Sequence, residues 1–325
     1  MSLFKLVSKT LVAATCLVST MALAEDFPKR PINMVLGYAA GGPTDVIARV
    51  VAKEMGDYLG QPVIVENKPG ASAHIATNDV MTAKPDGYKV LVSSLTLTVN
   101  PLLYPDRFDY DAVTDLKPVS NFVSLPMVVV TGYDSPYKEL QDLINEAKEK
   151  PGDLTYGSSG FGGSAHLAAE MLTSQADIEM THIPFTGNGP ALLETMAGRL
   201  SFMFYPSIGI AEYVAGDKVR VLAVGTNEPN PDFPGVPTLS SLGFEGFSEG
   251  APFVGMLAPA GTPDNVVAKL NEAAVAALSS PAVKERLEQL GAVIIGDTPE
   301  EFSVFLEEDK ERWTRVIEQG NVQPE

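Results

Sequence analysis

Pro31-Ile32-Asn33-Met34-Val35-Leu36-Gly37-Tyr38-Ala39-Ala40-Gly41-Gly42-Pro43-Thr44-Asp45 is the stretch on which the fold turns. Its apolar opening predicts a strand over 32–37. Beyond the glycines, Val46, Ile47, Val50, Val51, Met55 and Leu59 recur at helical spacing and predict a helix over 44–59. The same alternation runs outward: strands over 62–66 and 89–94 flank a helix over 74–83. Short loops between such elements imply right-handed strand-helix-strand units and a mostly parallel sheet.

A second block follows. Beyond an apolar run over 125–131, strands are expected over 154–158, 180–185, 201–205 and 219–225, with helices over 140–150, 164–174 and 190–197. After a connector bearing Pro229, Pro231, Pro234 and Pro237 come a strand over 253–258 and helices over 266–278, 282–290 and 299–318. These last helices are too many for the second block to absorb. An economical chain crosses to a second domain and returns, near 122–126 and 248–252. One lobe then holds 25–123 with 250–325 and the other 124–249, in a two-lobed α/β fold with a hinge and an interlobe cleft suited to a small solute.

The chain has 325 residues, 45% hydrophobic, with 23 Lys and Arg against 41 Asp and Glu, a net charge of −18. That apolar content excludes a disordered chain, and the acidity excludes a nucleic-acid footprint built from clustered cations. Lys5 and Lys9, an apolar run over 10–21 and Ala22-Leu23-Ala24 form the three parts of a secretory signal, with cleavage expected after Ala24. Cys16 lies inside this segment without the residues that precede a lipid-attachment cysteine, so the mature chain is expected to lack thiols. Losing the two lysines takes the charge to −20. A periplasmic location follows as the expectation, with the mature protein monomeric and outside the membrane, because no other run is long and apolar enough to span one.

Residues 37–45 place small residues where a strand hands over to a helix. Amide NH groups there are unpaired and lie at the positive end of the helix dipole, so such a loop holds a carboxylate or phosphate, or is simply a tight turn capped by Thr44 and Asp45. Neither G-x-G-x-x-G nor a Walker pattern is present. A second loop of the same build, Tyr156-Gly157-Ser158-Ser159-Gly160-Phe161-Gly162-Gly163-Ser164-Ala165-His166, lies in the other block. The two could grip one anion from opposite sides. A rival reading makes Ser158, Ser159 or Ser164 the nucleophile of a periplasmic serine hydrolase assisted by His166, although Phe161 breaks the G-x-S-x-G pattern. His74, His166 and His182 are the only histidines and lack metal-ligand spacing, so neither metal nor cofactor is expected.

With the first stretch, Gly60-Gln61-Pro62-Val63-Ile64-Val65-Glu66-Asn67-Lys68-Pro69-Gly70-Ala71, Lys84-Pro85-Asp86-Gly87-Tyr88, His182-Ile183-Pro184-Phe185-Thr186-Gly187, Gly235-Val236-Pro237-Thr238, Ala258-Pro259-Ala260-Gly261-Thr262-Pro263 and Gly296-Asp297-Thr298-Pro299-Glu300-Glu301-Phe302 resemble the substrate-binding proteins of tripartite tricarboxylate transporters, the Bug type. The resemblance runs in order through the mature chain. It implies a periplasmic-binding-protein-like fold of type II and a non-catalytic receptor that hands a small di-, tri- or aromatic carboxylate to membrane permease subunits. A receptor serving a signalling partner shares the same features. Carried over by motif, one carboxylate falls to Tyr38, Ala39, Ala40, Gly41, Gly42, Thr44 and Asp45 in the first loop. In the second it falls to Ser158, Ser159, Gly160, Phe161, Gly163, Ser164 and His166. Ala71, His74, Ser94, Thr96, Thr186 and Asn188 are implied as further walls. Three departures stand out: Pro43 removes an NH donor, Tyr205, expected among the ligand-binding residues, replaces an Asp common in relatives and argues against an ammonium ligand, and Phe253 stands near a usual Trp, where it could cover the ligand.

Overall fold

The computed structural model describes residues 27–319 apart from Ile208, Glu249 and Leu290. The expected signal, Cys16 and the cleavage after Ala24 lie outside the described residues. In chain order the strands are β1 (Ile32–Leu36), β2 (Val63–Asn67), β3 (Lys89–Ser93), β4 (Leu116–Ser124), β5 (Met127–Gly132), β6 (Thr155–Ser158), β7 (Thr181–Pro184), β8 (Phe202–Pro206), β9 (Val219–Val224), β10 (Phe253–Pro259) and β11 (Val293–Ile294). The helices are α1 (Pro43–Leu59), α2 (His74–Met81), α3 (Thr96–Leu103), α4 (Leu140–Glu149), α5 (Ser164–Ala176), α6 (Asn188–Met196), α7 (Ala211–Ala215), α8 (Asp264–Ser279), α9 (Pro281–Gln289) and α10 (Pro299–Gln319).

The strands form two sheets, in the orders β11-β4-β10-β3-β1-β2 and β7-β6-β8-β5-β9. Neither is mostly parallel. The pairings β1 with β2 and β3, and β6 with β7 and β8, are parallel, while β10, β4 and β5 run antiparallel to their neighbours. The cause is the crossing: strands that leave or re-enter a sheet at the lobe boundary cannot be joined by a helical crossover, which the parallel arrangement requires. Leu125 NH donates to Pro252 O at 2.8 Å, which ties the two crossings together. We propose the lobe boundaries here, with 25–123 and 250–325 around the first sheet and 124–249 around the second.

Each sheet is sandwiched by helices. In β1, Met34 and Leu36 face α1 and α8 through Ile47, Val51, Met55 and Leu270, while Val35 turns to the other face with Leu91, Leu257 and Phe302. This is the period-2 alternation of a strand buried on both faces. Each such side chain contributes about 1.5–3 kcal/mol by leaving water. The second lobe has its own core, with Tyr156, Leu172, Phe202 and Phe204 fully buried. Helix α1 starts where Gly42 is extended (φ −77°) with Pro43 in the first turn, and it stops at Gly60 in the left-handed region (φ 66°).

Candidate functional site

The first loop leaves β1 beside the end of β3, since Leu36 pairs with Val92. Gly37 is obligatory there, because an added Cβ would lie 2.2 Å from Ala73 Cβ, and Gly41 turns the chain at φ 83°. The loop is braced by its own carboxylate. Asp45 is buried and accepts hydrogen bonds from Gly41 NH (2.9 Å), Arg49 Nε (2.9 Å) and Asn67 Nδ2 (2.8 Å). Burial works to raise its pKa, but the bonds from Arg49, Gly41 and Asn67 outweigh it and hold the carboxyl below its usual range. Asp45 and the Gly41 NH are therefore committed to the loop itself. Among the described residues, the amides of Ala40, Thr44 and Asp45 have no protein acceptor. Arg49, one helical turn beyond Asp45, completes the brace, and its i,i+4 spacing is the sequence signal of that ion pair.

Next to this loop the backbone is strained. Ala71, Ser72 and Ala73 take φ of 47°, 51° and 71°, three consecutive non-glycine residues in the left-handed region. The segment is held from both sides: Ala73 packs on Gly37, and Ser72 O accepts from Asn100 Nδ2 at 2.7 Å. His74 follows at the start of α2, its ring stacked on Tyr110 at 5.9 Å. Tyr38 spans from the first loop to α3, its hydroxyl 2.6 Å from Thr96 Oγ1. Burial raises the Tyr38 pKa against the hydrogen bonds from Thr96 and its neighbours, so the phenol stays neutral. Ser94 and Thr96 are buried in this wall.

The second loop is locked differently. Ser158 is fully buried; its Oγ accepts from Gly160 NH (3.0 Å) and lies 2.6 Å from His182 Nε2. His166, 5% exposed, uses Nδ1 to accept from Gly162 NH at 3.1 Å. The two imidazoles stack with centroids 4.1 Å apart, and Phe161 meets both edge-on. Burial pushes His166 down to about 4, and burial with His166 alongside takes His182 to about 3. Both rings are thus neutral at physiological pH. The expected partnership of a serine with His166 is not what the structure shows: Ser158 pairs with His182, and no local spacing signals a partner 24 residues away. His182 Nδ1 is buried without a partner, so no carboxylate orients the ring as a hydrolase would need. Ser159 and Gly163 sit side by side in the turn, and among the described residues the amides of Phe161, Ser164 and Ala165 have no protein acceptor.

The lobes touch along a seam beside the loops. A Cβ on Gly162 would lie 3.0 Å from Leu103 Cδ1 and 3.7 Å from Asn100 Oδ1 of α3. Leu167 from α5 is fully buried in one apolar cluster with Leu95, Val99 and Leu103 of the α3 region and Trp313 of α10. Thr186 and the half-buried Asn188 sit at the end of β7 and the start of α6. Two expectations are corrected. Phe253 does not cover a ligand: it is 1% exposed in β10 and packed edge-on against Phe302 and Phe305, because its strand lies inside the first sheet. Tyr205 is buried in β8 among Val128, Met203 and Phe233, and burial raises its hydroxyl to about 12. Two hollows lie apart from the loops. One of about 530 Å³ borders Met171, Glu245, Arg312 and Trp313, and one of about 690 Å³ borders Arg49, Lys53, Gln61 and Val63. In the first, the Arg312 charge is already engaged by Asp309.

Two strand-to-helix loops, one on each sheet and both at the carboxyl ends of their strands, define a two-lobed solute receptor. The family described as "Tripartite tricarboxylate transporter family receptor" matches residues 47–322, and the chain belongs to it. It is 33% identical to Protein BugT of Bordetella pertussis over 306 residues, covering 94% of this chain and 93% of that one. The solved periplasmic binding protein BugD is 32% identical with a TM-score of 0.86, over 92% of this chain and all of that one. MatC from Rhodopseudomonas palustris, solved with malate, is 30% identical with a TM-score of 0.83, over 90% of this chain and all of that one. An R. palustris protein solved with adipate is 28% identical with a TM-score of 0.86, over 92% of this chain and all of that one. The family and these neighbours are solute-binding receptors and not enzymes.

Proposed function

We propose that the protein, exported and cleaved after Ala24, works in the periplasm as a monomeric receptor that captures a small di- or tricarboxylate, or an aromatic carboxylate, and delivers it to the permease subunits of a tripartite tricarboxylate-type transporter. The observation that carries this reading is the pair of loops whose amides at Ala40, Thr44 and Asp45, and at Phe161, Ser164 and Ala165, lack protein acceptors. Amides at helix starts bind carboxylates without adding formal charge, which reconciles an anionic ligand with a net charge of −18. Beyond about 10 Å, salt screens the acidic surface. Malate and adipate in two neighbours support the carboxylate class. Asp45, His166 and His182 then serve as braces that fix where the amides point.

A thermal-shift and native mass spectrometry screen over succinate, malate, citrate, adipate and terephthalate tests the reading. A ligand at a hundredfold excess over its Kd stabilises the protein by about 2.7 kcal/mol, a rise of several degrees in Tm. The companion variant is Gly42→Val. Gly42 has φ −77°, and its nearest contact to an added Cβ is Ala39 O at 3.5 Å, so valine fits the fold while blocking approach to the amides. No shift with any carboxylate, or normal binding by Gly42→Val, sinks the assignment.

A further inference from the structure

An open sheet ends in strands whose outer backbone groups are unpaired, and such edges invite pairing with another chain unless something blunts them. The two sheets end in β11, β2, β7 and β9, and all but β2 are blunted. Strand β11 is two residues long. In β7, Thr181 NH and Phe185 NH donate toward β6, so His182 and Pro184 turn their backbone outward, and proline has no NH to offer. At β9, Val224 NH donates to Pro237 O and Val224 O accepts from Leu239 NH, so residues 237–239 cover its end.

Strand β2 has none of these devices. Its five residues, Val63-Ile64-Val65-Glu66-Asn67, contain no proline and pair with β1 without a bulge. Ile32 NH donates to Pro62 O at 2.9 Å and Lys68 NH donates to Leu36 O at 2.7 Å; in the register between them, Ile64 and Glu66 turn their backbone groups to β1. Val63, Val65 and Asn67 therefore turn theirs outward, and no strand among the described residues takes them up. Along this edge runs the hollow of about 690 Å³, walled by α1 at Ala52 and Gly56 and by Pro62, Val63 and Val65. On the opposite face of the strand, Ile64 is 49% exposed.

We propose that the β2 edge docks an extended segment of another protein, apolar on both faces, which adds to the first sheet as one more strand with a side chain in the hollow. The unpaired groups recur at every second residue, the spacing that an extended chain matches and a helix does not. One face of the added strand meets Val63, Val65 and the hollow, and the other meets Ile64. Arg49 and Lys53 at the rim are already paired, with Asp45 and with Glu54 and Asp57, so the groove demands no charged side chain. A second copy of this chain is the poorer occupant, because two molecules of net charge −18 repel. The edge ends at Asn67, whose side chain donates to Tyr38 O and Asp45, so the docked strand lies against the support of the first loop.

Selection of a phage-displayed random heptapeptide library on the immobilised protein tests this. Peptides with β-branched or aromatic residues on both faces are expected to be enriched. Made as free peptides, they are expected to slow hydrogen exchange at the Val65 and Asn67 amides about tenfold or more, while the Ile64 and Glu66 amides, already bonded to β1, change little. Val65→Pro removes one outward NH without touching the bonds to β1, and Ile64→Lys puts a charge on the exposed face. Each is expected to weaken these peptides about tenfold. Ile64→Lys changes only an exposed side chain, so it decides the matter if Val65→Pro does not fold. No enrichment, unchanged exchange at both amides, or full binding by Ile64→Lys overturns the proposal. So does a concentration-dependent dimer that Ile64→Lys dissolves, which gives the edge to a second copy.

Discussion

Leu167 is the residue at which stability and lobe geometry separate. It projects from α5 of the second lobe into a cluster otherwise made by Leu95, Val99 and Leu103 near α3 and Trp313 of α10, and it is fully buried. Truncating a buried leucine to alanine costs about 3 kcal/mol through lost transfer energy and the cavity left behind. Because its partners lie on the other lobe, that loss falls on lobe docking, where it shifts the balance toward separated lobes by about 100-fold. Leu172, also fully buried but inside the second lobe's own core on the same helix, is the control. Small-angle scattering on the ligand-free protein is expected to show a larger radius of gyration for Leu167→Ala, with compaction restored by saturating ligand at a raised apparent Kd. Leu172→Ala is expected to lower Tm without expansion. If Leu167→Ala merely loses Tm as the control does, with an unchanged radius, the cluster is ordinary core and does not hold the lobes together.

Three other outcomes follow from the braces around the site. Asp45→Asn removes a buried carboxylate with three hydrogen-bond donors and is expected to cost about 2–3 kcal/mol at neutral pH. Since the folded pKa lies below the ordinary 3.8, the carboxylate contributes fully above that value and its contribution fades as pH falls through the folded pKa; urea titrations should show wild type and variant converging below about pH 4. Ser72→Gly relieves a residue at φ 51° and is expected to stabilise the fold by about 1 kcal/mol while loosening ligand grip; a lower Tm would show that the loop is unstrained. Ser158→Ala strips the acceptor from Gly160 NH and is expected to lower stability by about 1–3 kcal/mol and weaken carboxylate binding, with no change in background ester turnover. Loss of a measurable esterase activity would instead revive the hydrolase.

Much of this architecture was readable from periodicity. The strand before Gly37 and the helix after Gly42 fall where the apolar spacing puts them, and the two loops were found because small residues cluster at strand-to-helix junctions. Helix α3 was not anticipated. Thr96, Thr98 and Val99 are β-branched, and Pro101 sits inside the helix, so local preference opposes it; packing of Leu95, Val99 and Leu103 against Leu167 and Trp313 outweighs that preference. Strand direction was misjudged for a related reason, because alternation of strands and helices says nothing about strands that change lobe. Within the site, the motif located the loops but not their internal wiring. That Asp45 holds Gly41 and that Ser158 meets His182 depends on folded geometry across 4 and 24 residues, and only the nearer of these has a sequence spacing that announces it.

The position of β10 has a consequence for the order in which the molecule is built. Residues 253–259 lie in the interior of the first sheet, between β3 and β4, although they are made long after both. Until they emerge, that sheet is split down its middle, with β1, β2 and β3 on one side and β4 on the other. The second sheet draws only on residues 127–224 and can close as one continuous segment. Synthesis therefore runs from the first lobe to the second while completion runs the other way, and a nascent chain shorter than about 260 residues has no means of finishing the lobe it began.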